Sequence, residues 1–182
     1  MGPELPYQVV EATARTRWLE ADPRQLVTQC QVTRTRGQGP GGQHRNKVST
    51  AIVLIHEPTG LRAEAAERRS QHENLQVALD RLRREIALHC RAVVDAEHYQ
   101  PTELWQSRCR QGKVSVSTDH RDFAALLAES LDLLAAHGWR PAPAAAQLGC
   151  SSSQLVKLVQ QHPAAGTWVN RMRMDAGLEP LK

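Results

Sequence analysis

Four glycines and a proline stand directly before a glutamine in the stretch Arg36–Lys47, which reads RGQGPGGQHRNK. Glycine loses more conformational freedom on folding than any other residue, so a cluster of glycines indicates a backbone that approaches another group closely or adopts positive φ. The residues that follow Gln43 are cationic or carry hydrogen-bonding groups: His44, Arg45, Asn46 and Lys47. The pattern predicts a loop that brings backbone and polar side chains against a phosphate-rich partner.

These glycines have two other interpretations. Residues 37–42 match the dinucleotide fingerprint G-x-G-x-x-G, but that site needs a helix directly after the glycines. Here the apolar, β-branched run Ser49–His56 follows and predicts a strand, which disfavours a dinucleotide site. A glycine-rich hairpin loop without chemistry stays open as an alternative, although it leaves the flanking cations and the length of the loop unexplained.

The elements around the loop form a small unit. Strands are predicted at Leu26–Thr35, Ser49–His56 and Leu61–Ala66. Ser70 and Glu73 form a capping box, and the apolar residues behind them recur at helical spacing up to Val93. The order of strand, loop, two strands and helix predicts an α+β unit over residues 26–95, with a small mixed sheet and one packed helix.

Four short motifs in this unit resemble class I peptide-chain release factors. They are the stretch Arg36–Lys47 with Gly41-Gly42-Gln43 at its centre, Ser49–Ile52, His56-x-Pro-Thr-Gly60, and Arg69-Ser-Gln71 with Asn74. Gln38 and the Ser-Thr-Ala-Ile run are most similar to the codon-independent peptidyl-tRNA hydrolases that rescue stalled ribosomes. Arg45 differs from the family, which usually has an apolar residue at this place.

The resemblance implies a fold of the release-factor GGQ type and hydrolysis of the ester between nascent peptide and tRNA. It implies catalytic roles for Gly41, Gly42 and Gln43, with large-subunit ribosomal RNA and peptidyl-tRNA as partners and no metal or cofactor. The amide of Gln43 is no base at neutral pH, so positioning of water and a backbone N–H aimed at the developing oxyanion are expected of it. Contacts with RNA are expected of Arg36, His44, Arg45, Asn46, Lys47, Arg69 and Gln71. For His44 a merely solvated side chain stays open, and for Arg69 and Gln71 bracing of the loop base stays open.

Two other functions stay open beside codon-independent hydrolysis. One is a release factor that acts with a separate decoding subunit, and the other is a non-catalytic protein that binds RNA or the ribosome. The chain leaves no room for the codon-reading domain of a full-length release factor, and its C-terminal half carries no net charge, unlike the basic tail of rescue hydrolases.

Outside this unit the chain divides into three predicted parts. Residues 1–25 are expected to form an arm with one helix near Val9–Glu20, residues 96–118 an irregular polar linker, and residues 119–182 a helical domain. In the last part an alanine-rich helix, Gly149 and a helix capped by Ser151 resemble a helix-turn-helix. A plain helical docking module is favoured there, followed by contact with RNA or a ribosomal protein, because the second helix carries one cation.

Composition limits the classes of partner. The 182 residues carry a net charge of +4, and all of this excess lies in the first 92 residues. The four cysteines lack metal-site spacing, and no apolar run has the length of a membrane span. We therefore expect a monomeric cytoplasmic protein without membrane contact, and DNA is not expected as a partner.

Overall fold

The computed structural model describes residues 7–35 and 50–181, which combine small β-sheets with helices. The strands are β1 (Gln8–Val10), β2 (Cys30–Thr35), β3 (Ala51–His56), β4 (Arg62–Ala65), β5 (Cys90–Ala92), β6 (Cys109–Arg110) and β7 (Lys113–Val114). The helices are α1 (Ala12–Glu20), α2 (Pro23–Val27), α3 (Gln71–His89), α4 (Glu103–Arg108), α5 (Phe123–Ala136), α6 (Pro141–Gln147), α7 (Ser152–Gln160) and α8 (Pro163–Asp175). The predicted α+β class with a helical C-terminal region is confirmed.

The chain forms two compact units, one of residues 17–86 and one of residues 1–16 with 87–182, so the boundaries fall within α1 and α3. The predicted boundaries at residues 25, 95 and 118 stay a prediction, since they concern functional domains rather than compactness. Among the described residues, no helix is long and apolar enough to cross a membrane.

The 17–86 unit is built on an antiparallel sheet with the strand order β2-β3-β4. On the central strand β3, Ile52, Leu54 and His56 alternate with less buried residues and are fully or almost fully buried. Ala78 and Leu82 on α3 are also fully buried, as the period of 3.6 residues requires of a helix that covers one face of a sheet. The edge strand β2 is exposed from residue 31 onward.

The predicted first strand begins too early. Leu26 and Val27 lie in the short helix α2, because the Asp22 side chain accepts a hydrogen bond from the backbone N–H of Arg24 at 2.9 Å and Pro23 occupies the first helical turn. Asp22 and Pro23 therefore end one helix, as predicted, and also start the next.

Helix α3 begins as predicted and ends earlier than predicted. The Ser70 side chain accepts from the backbone N–H of Glu73 at 3.4 Å, the first half of the capping box. The helix stops at His89, because residues Cys90–Ala92 form β5 and pair in parallel with β1. The same pairing makes Gln8–Val10 a strand where the sequence predicted the start of a helix.

The other unit holds a buried charge cluster around Asp132 on α5. Asp132 is 3% exposed and pairs with two buried arginines, Arg15 from α1 and Arg91 from β5. Arg15 donates to one Asp132 oxygen at 2.7 Å, and the backbone N–H of Ala92 donates to the same oxygen at 3.2 Å. Burial lowers the pKa of Arg91 to about 10, although Asp132 opposes this shift, so the guanidinium stays charged at neutral pH.

The segment 96–118 is not the irregular stretch that the sequence predicts. It contains α4 and the β6–β7 hairpin, and Trp105 on α4 is 1% exposed. The Trp105 indole donates to the carbonyl oxygen of Leu148 at 2.7 Å, and buried Glu129 accepts from the Tyr99 and Thr102 hydroxyls at 2.6 Å each. These contacts anchor a polar segment that has no apolar periodicity of its own, and Trp105 is its buried residue.

Candidate functional site

Adjacent strands carry the two ends of the glycine-rich segment. β2 ends at Thr35 and β3 begins at Ala51, and these two residues are paired across the antiparallel ladder. The segment between them is therefore held at both ends by a sheet whose central strand is buried. The predicted site residues Arg36, Gly41, Gly42, Gln43, His44, Arg45, Asn46 and Lys47 lie outside the described residues, so their roles stay predictions.

Asn74 fixes the end of the described chain that follows this segment. Its side-chain amide donates to the carbonyl oxygens of Thr50 at 2.6 Å and Arg68 at 3.0 Å, and its side-chain oxygen accepts from the Arg68 backbone N–H at 2.9 Å. Asn74 itself is fully buried. Three hydrogen bonds from one buried amide join the start of β3, the turn before α3 and α3 itself, which makes Asn74 a positioning residue for this end of the sheet.

Arg81 makes a second link between α3 and β4. Its guanidinium donates to the carbonyl oxygen of Glu64 at 2.6 Å and forms an ion pair of 2.5 Å with Glu67. Partial burial would raise the pKa of Glu67, but the backbone N–H groups of Ala66 and Glu67 and the charge of Arg81 lower it below its ordinary value. Glu67 is therefore ionised, and its contacts with the Ala66 N–H and with Arg81 connect the turn after β4 to α3.

An open pocket of about 520 Å³ lies beside these links, at the end of the sheet that carries Thr35 and Ala51. Among the described residues, its charged lining consists of two arginines and two glutamates: Arg62, Arg81, Glu64 and Glu67. The arginines pair with the glutamates, Arg62 with Glu64 at 2.5 Å. The pocket is therefore polar but locally close to neutral, which suits hydrogen bonding better than capture of an anion.

Arg69 and Gln71 lie on either side of Ser70 at the start of α3, and both are exposed. Asn74 and Arg81 make the bracing contacts described above, and bracing by Arg69 and Gln71 stays open. Whether Arg69 and Gln71 contact RNA stays a prediction.

Sequence reasoning did not assign the bracing role to Asn74 or Arg81. The signal for Asn74 was present, because it occupies the apolar face of α3, four and eight residues before Ala78 and Leu82. No comparable signal distinguished Arg81 from the other arginines of α3.

His56 lies at the opposite end of β3 from the segment and has a structural environment. The ring is fully buried, its Nδ1 lies 2.7 Å from the Thr59 hydroxyl, and it packs edge-on to Trp18 at 4.9 Å. Burial lowers its pKa, so the ring is neutral at pH 7. Five residues of extended strand separate it from Ala51, about 17 Å, so His56 is remote from the end of β3 that joins the segment.

The antiparallel sheet with its covering helix agrees with the family comparison. Residues 23–123, more than half of the chain, match the model of the RF-1 domain family. The chain belongs to this family.

Similar proteins share this part of the chain. Peptide chain release factor 1 of Streptococcus thermophilus is 37% identical over 78 residues, which are 43% of this chain and 21% of the relative. Peptide chain release factor 2 of an Acidovorax species is 50% identical over 48 residues, 26% of this chain and 13% of the relative. A mitochondrial protein of Saccharomyces cerevisiae, described as an uncharacterized peptide chain release factor-like protein, is 47% identical over 51 residues, 28% of this chain and 33% of the relative. The chain thus matches between about an eighth and a third of the length of these relatives.

Proposed function

We propose that this protein hydrolyses the ester of peptidyl-tRNA on the ribosome and releases the nascent peptide without reading a codon. The observation that carries the proposal is the fixed base of the Gly41-Gly42-Gln43 segment in a chain of the RF-1 domain family. Thr35 and Ala51 are paired, and Asn74 holds Thr50. A fixed base lets a short segment be presented to a remote reaction centre with little loss of orientation.

The proposed chemistry needs little from the side chains of this protein. Hydrolysis of an ester needs an oriented water, a donor for the oxyanion and a path for the leaving 3′-hydroxyl. We assign the donor to the backbone N–H of Gln43, and a donor of this kind lowers an acyl-transfer barrier by about 2.7–4 kcal/mol. The Gln43 amide restricts which nucleophile enters, while Gly41 and Gly42 allow a turn that a Cβ would block.

The remaining groups of the proposed centre belong to RNA. Arg36, Arg45 and Lys47 supply cations, and His44 and Asn46 supply hydrogen-bonding groups, for large-subunit ribosomal RNA and the peptidyl-tRNA. Codon independence is favoured by Gln38 and by the run Ser49–Ile52, the features in which the chain is most similar to the rescue hydrolases.

The test is release of labelled peptide from ribosomes whose A site holds no codon, a sense codon or a stop codon. We expect comparable release in all three, and none with Gln43→Ala or Gly42→Ala. Release that required a stop codon and a second protein would replace the proposal with a release factor that has a separate decoding subunit. Binding to ribosomes without release by the wild-type protein would refute the hydrolase.

A further inference from the structure

The β6–β7 hairpin places two cations side by side. Its two turn residues, Gln111 and Gly112, have φ of 51° and 75°, the positive values of a type I′ turn. Arg110 and Lys113 flank this turn and are directly paired across the ladder. Like charges opposite each other in a sheet are destabilising, and no acidic side chain is paired with either of them among the described residues.

The hairpin is attached to the turn between α6 and α7. The Cys109 thiol donates to the carbonyl oxygen of Gly149 at 3.6 Å, and the backbone N–H of Val114 donates to the Gln154 side chain at 3.3 Å. Gly149 lies in the turn that precedes α7, and Gln154 lies in the first turns of α7. β6 is therefore fixed to the turn before α7, and β7 is fixed to α7 itself, the second helix of the helix-turn-helix-like pair.

The attachment of the hairpin to α7 adds a third cation, Lys157, to Arg110 and Lys113. Lys157 lies three residues after Gln154, so it shares a side of α7 with the residue that binds the hairpin, and it is exposed. We call the exposed residues Arg110, Lys113, Ser153 and Lys157 the hairpin–helix surface. The second helix alone has one cation, whereas the assembled surface has three.

The two chain segments that form this surface contain no acidic residue. No Asp or Glu occurs between residues 104 and 118 or between residues 133 and 174. Glu103 and Asp119 border the first of these ranges, and Asp122 beyond them is held by Arg108 at 2.7 and 3.0 Å. The local charge is therefore positive although the second half of the chain as a whole has no net charge.

The surface also lacks an apolar anchor. The large hydrophobic side chains that are exposed among the described residues are Val9, Val32, Val93 and Met174, and none lies on the hairpin or on α7. Protein interfaces depend on buried aromatic or aliphatic anchors, whereas phosphate backbones are bound by cations and hydroxyls. The composition of the surface thus disfavours the plain protein-docking module expected from the sequence.

We propose that the hairpin–helix surface binds the phosphate backbone of structured RNA and thereby docks the C-terminal helices on the ribosome. The choice of RNA rests on the proposed function, while the phosphate chemistry rests on Arg110, Lys113 and Lys157. The paired cations of the hairpin lose their mutual repulsion when a phosphate lies between them.

The test compares two full-length variants that each lose three exposed cations. One carries Arg110→Gln, Lys113→Gln and Lys157→Gln. The matched control carries Arg17→Gln, Arg24→Gln and Arg171→Gln, which lie outside the surface and are equally exposed. The probe is a fluorescently labelled RNA duplex, titrated at several salt concentrations, with a DNA duplex of the same sequence beside it.

We expect the surface variant to bind the RNA duplex at least about tenfold more weakly, with a slope of log affinity against log salt reduced by about three. The control is expected to lose much less affinity. Equal losses in both variants would overturn the proposal, because net charge alone would then explain binding. Tighter binding of the wild-type protein to DNA than to RNA would overturn the choice of RNA.

A peptide-release assay distinguishes a failure of this proposal from a failure of the proposed function. The surface variant is expected to need about tenfold more protein for half-maximal release, with an unchanged rate at saturation. If the wild-type protein releases no peptide, the proposed function fails, and the duplex titration still decides whether the surface binds phosphates. Normal duplex binding by the surface variant, together with lost ribosome binding, would overturn the proposal in favour of a protein partner.

Discussion

The side chain of Asn74 donates a hydrogen bond of 2.6 Å to the carbonyl oxygen of Thr50, the last described residue before β3 begins. Asn74 lies on α3 and Thr50 lies next to the segment that contains Gln43. Through this bond α3 fixes the position of Thr50, directly before the start of β3.

Replacement of Asn74 should weaken both the fold and peptide release. Asn74→Ala removes the partner of the Thr50 and Arg68 carbonyls and of the Arg68 N–H, three part-buried hydrogen bonds, a loss of about 3 kcal/mol in the free energy of unfolding. Asn74→Asp keeps the acceptor but turns a carboxylate toward two carbonyl oxygens, so this variant should be no more stable than Asn74→Ala. Urea denaturation measures the loss, and Gln76→Ala, two residues along α3, should stay within about 0.5 kcal/mol of wild type. An Asn74→Ala protein as stable and as active as wild type would contradict the positioning role.

The buried cluster around Asp132 gives a second prediction. Asp132→Asn removes the charge that offsets two buried arginines, Arg15 and Arg91, and should lower the free energy of unfolding by about 3–5 kcal/mol. The exposed pair of Arg62 and Glu64 supplies the comparison, and Glu64→Gln should change stability by less than about 1 kcal/mol. Denaturant titration of both variants measures the difference, and similar small losses would show that the buried cluster is not needed for stability.

Stability should fall in mild acid because of His56. Burial places the pKa of His56 below its ordinary value of 6.5 in the folded protein, so the unfolded chain binds the proton first. The contribution of neutral His56 to the free energy of unfolding is complete above about pH 6.5. It is lost as the pH falls toward the folded-state pKa, with a slope of at most about 1.4 kcal/mol per pH unit. The measurement is the free energy of unfolding between neutral pH and about pH 5 for wild type and His56→Gln. Parallel curves for the two proteins would contradict the prediction.

Cys30 should react slowly with alkylating agents although it is partly exposed. Burial, with a smaller effect of the Glu57 carboxylate, raises its pKa to about 11, so at pH 8 only about one thiol in a thousand is ionised. Iodoacetamide labelling followed by mass spectrometry gives the rate at Cys30 itself. Glu57→Gln should speed labelling of the native protein, and a native rate equal to that of the urea-unfolded chain would exclude a raised pKa.

Local patterns predicted the parts of the fold that depend on near neighbours. The alternation of β3, the cap of α3 by Ser70 and the glycine turn before α7 all follow from residues a few positions apart. α2 was missed because Asp22-Pro23 can both end a helix and start one. β5 was missed because Cys90–Ala92 extend a helical pattern in sequence and become a strand through pairing with β1.

In the candidate site, too, features set by near neighbours were predictable and features set by distant contacts were not. The motif around Gln43 and the place of Asn74 were visible in the sequence. The bracing by Arg81 and the attachment of the β6–β7 hairpin to Gln154 join residues 14 to 40 positions apart, and no local period records such contacts.

The pairing of β1 with β5 has a consequence for synthesis of the chain. Gln8 leaves the ribosome about 80 residues before its partner Cys90, a delay of roughly 4–16 seconds at ordinary rates of translation. During that time the β1 strand lacks the partner strand and Arg15 lacks its carboxylate. The intervening residues 17–86 form a compact unit that can fold first. A newly synthesised chain should therefore form the β2-β3-β4 sheet before β1 pairs with β5, and pulse-chase proteolysis should find residues near β1 cleavable long after β3 has become protected.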